Sequence, residues 1–325
     1  MKVHILDDWM DTLRSLPCFA KLASYDVTIW TDHEPDPRRL AQRVKDAQAL
    51  VLFRERTRIG ADLLAQLPKL RLISQRSVYP HIDLQACTEK GVLLCSNMHS
   101  DTPSYAAAEL TLGLMLASFR QLPQQAESLR QGKWQMGVGR SLRGRKLGLY
   151  GYGRIAQAVE TYALALGMQV QWWASETGRA RALAQGKTLA ESRESFFATS
   201  DIVSLHVRLN PQTKGIITAD DLSNMRAGSL LVNTARAGLI AQNALETEMA
   251  RGRIFAAIDV FESEPLRQTS HPLLNHPNVL ATPHIGYVTE DEYDLQFSDI
   301  FDQINAYESG APIHMVNPEV WGRGA

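Results

Sequence analysis

Three polar residues stand just beyond short apolar runs in the second half of the chain. Arg236 follows Leu230-Leu-Val-Asn233, Glu264 follows Ala257-Ile-Asp259, and His284 follows Val279-Leu-Ala-Thr-Pro283. A guanidinium binds anions, a carboxylate tunes a neighbouring proton, and an imidazole transfers one near neutral pH. Upstream, the apolar run 146–150 leads directly into Gly151-Tyr-Gly153-Arg154-Ile155-Ala156 and then a helical stretch, 157–166. In that context Gly151 permits a tight turn and Gly153 lets the backbone approach a pyrophosphate. Ala156 allows close helix–sheet packing, and the helix opening at Arg154 and Ile155 supplies N–H donors and positive potential. Taken singly, Arg236 reads as a surface ion-pair partner, Glu264 as a loop acid and His284 as a satisfied core histidine. Doubly wound sheets bind ligands at the carboxyl ends of their strands, so the three could converge despite their separation in sequence.

The elements that must position them alternate along the chain. Short apolar runs at 3–6, 27–30, 49–53, 70–74 and 92–95 read as buried strands. Helical stretches lie between them, one at 37–45 opening on Asp36-Pro37 and one at 84–90 closing on Gly91. A second series of strands is expected at 146–150, 169–173, 201–206, 229–233, 254–259 and 278–281. This alternation predicts two parallel-sheet α/β units, each with helices on both faces. Between the series, Thr102-Pro103 marks a helix start, and 104–118 is apolar nearly all round. Such a helix is expected to be buried on every face, between domains or subunits, which predicts a homodimer. Residues 120–144, polar and Gly-rich with one Trp, read as an arm or connection.

The 325 residues contain 34 Lys and Arg against 35 Asp and Glu, so no basic excess is available for nucleic acid. The three cysteines, Cys18, Cys87 and Cys95, are scattered, which argues against a disulfide framework and a structural zinc site. The start, MKVHILDDWMD, lacks the pattern of a signal peptide, and the most apolar stretch, 105–119, contains Glu109 and is too short to span a bilayer. The expectation is a soluble cytoplasmic protein without membrane or nucleic-acid partners.

The residue that reads the adenosine ribose is expected about 20 positions beyond the glycine loop. There the chain reads Trp172-Trp-Ala-Ser175-Glu176-Thr177-Gly-Arg179-Ala-Arg181, with no Asp. Glu176 could accept from a 2′-hydroxyl and favour NAD, whereas Ser175, Thr177, Arg179 and Arg181 could hold a 2′-phosphate and favour NADP. Both arginines also read as solvated helix residues, so NAD and NADP stay open. His206 reads either as a wall of the cofactor site or as structure. His81, His99, His271, His276 and His314 read as structural or surface residues.

The chain resembles the D-isomer-specific 2-hydroxyacid dehydrogenases. The likeness is carried by HIDLQACTEKGV at 81–92, the AAELTLGLMLA helix, LGLYGYGRIAQAV, SDIVSLHVRLNPQTKGII, LLVNTARAGLI, AAIDVFESEPL and VLATPHIGYV. It implies a Rossmann-type cofactor domain (101–287) inserted into a smaller flavodoxin-like substrate domain (1–100 and 288–325). By resemblance, Arg236 orients the substrate carboxylate and carbonyl, Glu264 pairs with His284, and His284 is the acid/base. Asp259 would lie near the nicotinamide carboxamide, with Thr234, Ala235 and Gly286 among the cofactor-binding positions. The chemistry suits these residue types. Reduction of a 2-oxo acid delivers hydride to the carbonyl carbon while the oxygen receives a proton, and an imidazole with an ordinary pKa of about 6.5 suits that task. A neighbouring carboxylate favours its protonated form. Arginine binds a carboxylate through two parallel bonds, and no metal is required.

The chain departs from the family pattern in its first domain. Where that pattern has a G-x-G substrate loop, the sequence reads Arg76-Ser77-Val78, with both glycines replaced. The Ser77 and Val78 amides are expected to serve the substrate carboxylate, with a backbone that avoids strongly positive φ. Arg76 reads either a second acidic group or braces the loop. Residues 96–102 differ from the usual loop and run about two residues longer, and Arg208 stands where Pro is common. Two alternatives accompany the dehydrogenase reading. One is oxidation of another small oxyanion such as phosphite by the same residues. The other is a dinucleotide-sensing module like the corepressors that share the fold, for which long flanking tails are expected and not found. The formate-oxidising relatives pair Gln with His, whereas this chain has Glu264.

Overall fold

Apolar runs of three to five residues become the strands, because only a strand covered on both faces can bury every side chain of such a run. The computed structural model describes residues 1–98, 104–266 and 269–323. Its strands are β1 (Lys2–Ile5), β2 (Asp26–Ile29), β3 (Ala49–Val51), β4 (Leu72–Arg76), β5 (Leu93–Asn97), β6 (Lys146–Tyr150), β7 (Gln169–Trp173), β8 (Ile202–Leu205), β9 (Leu230–Asn233), β10 (Phe255–Ile258) and β11 (Val279–Ala281). The helices are α1 (Pro37–Arg43), α2 (Ala61–Leu64), α3 (Leu84–Lys90), α4 (Ala106–Arg120), α5 (Leu122–Arg130), α6 (Arg154–Ala165), α7 (Glu176–Ala184), α8 (Arg193–Thr199), α9 (Ala219–Asn224), α10 (Ala244–Ala250) and α11 (Glu290–Glu308). The chain divides into two compact units, Met1–Pro103 with Thr289–Ala325, and Ser104–Val288.

In the first unit five parallel strands run in the order β2-β1-β3-β4-β5, a flavodoxin-like doubly wound sheet. Leu50, Ile73 and Leu94 are fully buried at its centre. The Asp36 side chain accepts from the Arg38 and Arg39 amides to start α1, and Gly91 takes φ +70° to end α3, both as read from sequence. The long helix α11 lies on β4 and buries Phe297, Ile300, Phe301 and Ile304.

In the second unit six parallel strands run β11-β10-β9-β8-β6-β7. A Rossmann sheet carries a further strand outside β7, and here it is reduced to one parallel bridge between Leu189 and Trp172. Residues 185–191 join the end of α7 to the Ser192 cap of α8, and this stretch carries the bridge. The expected fold class of two doubly wound parallel-sheet domains is what the structure contains.

Within this chain α4 buries Ala108, Thr111, Leu114, Met115 and Phe119, while Leu110, Leu112 and Leu116 are half-buried and Glu109 is exposed. The connection at 120–144 contains a helix, α5, that its polar composition concealed. Gln121 at φ +53° breaks α4 from α5, and Pro123 fits the first turn of the new helix. The Thr102-Pro103 helix start and part of the 96–102 loop lie outside the described residues. Among the described residues no helix is long and apolar enough to cross a membrane.

Candidate active site

The glycine loop leaves β6 at Gly151, which takes φ +107° and donates its N–H to the Trp173 carbonyl at 2.7 Å. A Cβ on Gly151 would stand 2.5 Å from the His206 carbonyl oxygen, so the turn requires glycine. Gly153 begins α6 with no side chain capping the helix, and a Cβ there would meet nothing within 4 Å. Open space, uncapped N–H groups and the exposed Arg154 and Ile155 at the N-terminus of a twelve-residue helix are what a pyrophosphate needs. Ala156 is fully buried behind them. The residues therefore fit the dinucleotide that the sequence implies.

His206 meets this loop through its backbone. Its N–H donates to the Tyr150 carbonyl, its Nε2 pairs with Ser204 Oγ at 2.9 Å, and burial pushes its imidazole down to about 4. It is therefore neutral near pH 7. Beyond β7, Ser175 caps α7 by accepting from the Gly178 amide at 3.3 Å, and Glu176 opens the helix exposed to solvent. The two arginines that sequence treats alike are separated here. Arg181 donates to the Tyr152 carbonyl at 3.2 Å and lies 5.4 Å from the Tyr152 ring, bracing the glycine loop. Arg179 lies 4.5 Å from the centre of the Trp173 ring.

Arg236 follows β9 on a turn built by a residue that sequence reading passed over. Buried Asn233 accepts from the Ala235 amide at 3.1 Å and donates to the Arg236 carbonyl at 3.0 Å, so its side chain spans the turn. Thr234 pairs its hydroxyl with Thr111 of α4 at 2.8 Å. The Arg236 side chain is exposed, with one guanidinium N–H on the Ala235 carbonyl.

His284 Nδ1 and Glu264 Oε2 are 2.5 Å apart, and Glu264 Oε1 accepts from the Phe261 amide at 2.8 Å. Burial pushes the Glu264 carboxyl up, but the His284 hydrogen bond, the Phe261 amide and the charges of His284 and Arg236 together hold it below its ordinary value. With Nδ1 engaged, Nε2 is the end of the imidazole left to face a reactant. Tyr287, which sequence reading did not single out, packs edge-to-face on His284 with ring centroids 5.5 Å apart.

His284 itself sits at φ +55°, and Asp259 explains how the chain holds it there. One Asp259 oxygen accepts from Thr282 Oγ1 at 2.6 Å and the Ile285 amide at 2.8 Å, and the other accepts from the Gly286 amide at 2.8 Å. Asp259 and Gly286, both expected at the cofactor, are bonded to each other here. Asp259 is fully buried with both oxygens engaged, and the Gly286 N–H is spent on it. A Cβ on Gly286 would come within 3.1 Å of that carboxylate, so the two residues form the underside of the His284 loop.

In the first unit Arg76 ends β4 with its Nε 3.6 Å from Asp299 of α11, whose other oxygen accepts from Asn97 Nδ2 at 3.1 Å. This contact is what the bracing reading expects, and the reading of a second acidic group stands beside it. Ser77 adopts φ +82°, correcting the expectation that a loop without glycine avoids positive φ. The strain is held by three hydrogen bonds: the Ser77 amide donates to the Asn97 carbonyl at 3.0 Å, and its carbonyl accepts from Gln75 Nε2 at 3.0 Å and Ser96 Oγ at 2.7 Å. The Ser77 amide is thus already committed. Val78's amide makes no hydrogen bond among the described residues.

Comparison with known proteins agrees with this geometry. Residues 112–286 match the family model described as D-isomer specific 2-hydroxyacid dehydrogenase, NAD binding domain. A hydroxypyruvate reductase of Thermotoga maritima is 35% identical over 80% of this chain and 85% of its own length. A D-3-phosphoglycerate dehydrogenase of Methanocaldococcus jannaschii is 36% identical over 82% of this chain, which spans only 50% of that longer protein. Among solved structures, an oxidoreductase of Ralstonia solanacearum superposes with a TM-score of 0.93 at 42% identity, covering 99% of this chain and 98% of that one. A phosphoglycerate oxidoreductase of Vibrio cholerae superposes at 0.90, also with 42% identity, over 96% and 100% of the two chains. The glycine loop, the strand-end residues and these likenesses agree: the chain belongs to the D-isomer-specific 2-hydroxyacid dehydrogenase family.

Proposed function

We propose that this protein interconverts a small 2-oxo acid and its D-2-hydroxy acid, with His284 as the acid/base, Glu264 as its partner and Arg236 as the substrate anchor. The observation that carries the reading is the His284–Glu264 contact of 2.5 Å at the strand ends beyond β10 and β11, in the unit that holds the glycine loop. When bound, the nicotinamide supplies and accepts the hydride. The protein's own residues do the rest. Glu264 fixes Nδ1 and leaves Nε2 to give its proton to the carbonyl oxygen in reduction or take it back in oxidation. The planar guanidinium of Arg236 grips the substrate carboxylate and polarises the adjacent carbonyl. Asp259 keeps the imidazole at its strained backbone angle through the Ile285 and Gly286 amides.

The direct test is steady oxidation of NADH and NADPH with a panel of 2-oxo acids. Hydroxypyruvate and phosphohydroxypyruvate head it, because the relatives named above are called a hydroxypyruvate reductase and a D-3-phosphoglycerate dehydrogenase. Turnover of at least one is expected. Binding of reduced cofactor without turnover of any would leave the sensor reading standing instead.

The second unit also exposes apolar surface on its connection, including Leu122, Leu129, Trp134, Met136 and Val138, next to the half-buried leucines of α4. Large apolar side chains exposed along one stretch of chain suit an interface, and a second copy of the chain is the occupant we infer. Sedimentation at micromolar protein is expected to give twice the 36.2 kDa chain mass, and a monomer would contradict the inference.

A further inference from the structure

The adenosine end of the cofactor site contains a preference that the sequence left open. This inference rests on reading 151–156 as the dinucleotide loop. In sheets of this build the strand beside the glycine-loop strand ends next to the adenosine ribose. NAD-selecting sites place a carboxylate at that strand end, where it accepts from the ribose hydroxyls and repels a 2′-phosphate. Here the strand is β7, and Ala174 follows it, 8% exposed. Ala174 is packed so closely that a Cβ on Gly178 would come within 2.8 Å of its methyl group. The acidic residue of the first turn of α7 is Glu176, which is exposed to solvent.

The arginines of this region have different employments. Arg193 is bound by both oxygens of Asp221, and Arg181 donates to the Tyr152 carbonyl. Arg179 makes no ion pair among the described residues and rests on the Trp173 ring, 4.5 Å from its centre. A guanidinium seated on an aromatic face keeps its in-plane N–H donors for an anion and loses little freedom when it binds one. Ser175 adds a second donor, because its oxygen accepts from the Gly178 amide while its own proton stays available.

We propose that the protein selects NADP(H) over NAD(H), with Arg179 seated on Trp173 as the residue that grips the 2′-phosphate and Ser175 as its hydroxyl partner. Arg181 takes no part in the choice, since it holds the glycine loop that both cofactors use.

The test is calorimetric titration of the full chain with 2′,5′-ADP and with 5′-ADP, which differ only in the phosphate at issue. Wild type is expected to bind 2′,5′-ADP at least about tenfold more tightly, the size of a charge-assisted pair. Arg179→Ala is expected to erase that preference while 5′-ADP binding stays within about twofold, and Arg179→Lys to retain part of it. Arg181→Ala is expected to weaken both ligands by a similar factor. Equal or tighter binding of 5′-ADP by wild type would overturn the proposal and assign the ribose to Glu176. So would an Arg179→Ala variant that keeps the preference. If neither nucleotide binds, the dinucleotide reading of the loop fails as well, which separates that failure from a failure of the preference alone.

Discussion

Replacing His284 by alanine is expected to lower 2-oxo acid reduction by about 10²–10⁴-fold, the range lost when a positioned acid/base is removed. Reduced-cofactor binding, measured by fluorescence, is expected to stay near the wild-type value. The separation follows from geometry. His284 leaves its strand at φ +55° on a loop held by the buried Asp259, and its ring is fixed by Glu264, so the imidazole is presented outward while the glycine loop lies at another strand. Truncating the side chain leaves the Thr282, Ile285 and Gly286 bonds to Asp259 untouched, so the fold has no reason to change. A variant that kept most of its activity would mean that another group supplies the proton.

Gly151→Ala is expected to damage fold and cofactor site together. An alanine methyl would stand 2.5 Å from the His206 carbonyl at a backbone angle of φ +107°. Backbone strain plus a clash with main chain, which cannot rotate away, is expected to cost more than about 2 kcal/mol of stability. The informative control is Gly153→Ala. Its methyl would meet no protein atom within 4 Å, so thermal stability should be nearly that of wild type. It would occupy the space where the pyrophosphate approaches the start of α6, so nucleotide affinity should still fall steeply. Thermal melts with nucleotide titrations of both variants check the pair. A Gly151→Ala protein as stable as wild type would refute the close approach of the two chain segments.

Buried parallel strands were legible because they must be apolar on both faces, and the runs at β6, β8, β9 and β10 carry no charged residue facing the core. The caps at Asp36 and Gly91 were legible because their chemistry is local. The glycine loop and the strand-end Arg236, Glu264 and His284 were legible for the same reason: their types and neighbours announce them before any packing is known. Residues whose work depends on distant partners were not. Asp259 follows a strand, but its bonds to Thr282, Ile285 and Gly286 come from the next strand's loop, which no local pattern announces. Arg179 and Arg181 lie two positions apart on one helix, so only the direction of each side chain separates brace from reader. Ser77 broke the expected rule about positive φ because Gln75, Ser96 and Asn97 supply compensation that no local pattern encodes. Helix α5 was hidden because its sequence is polar, and nothing in it required burial.

In the proposed reaction Glu264 holds His284 by Nδ1 and keeps a negative charge beside it. Because the Glu264 carboxyl is held below its ordinary value, it is ionised across the neutral range. Its folded-state value being depressed, the stabilisation it contributes is present at neutral pH and is lost only as pH falls through that low titration. Its negative charge lies 2.5 Å from Nδ1 of His284, and an amide in its place removes that charge while keeping the shape. The measurement is kcat/KM for 2-oxo acid reduction as a function of pH, for wild type and Glu264→Gln. At neutral pH, where Glu264 is ionised, Glu264→Gln is expected to lower kcat/KM by about tenfold or more while reduced-cofactor binding stays near the wild-type value. Equal kcat/KM in the two proteins at every pH would contradict the account.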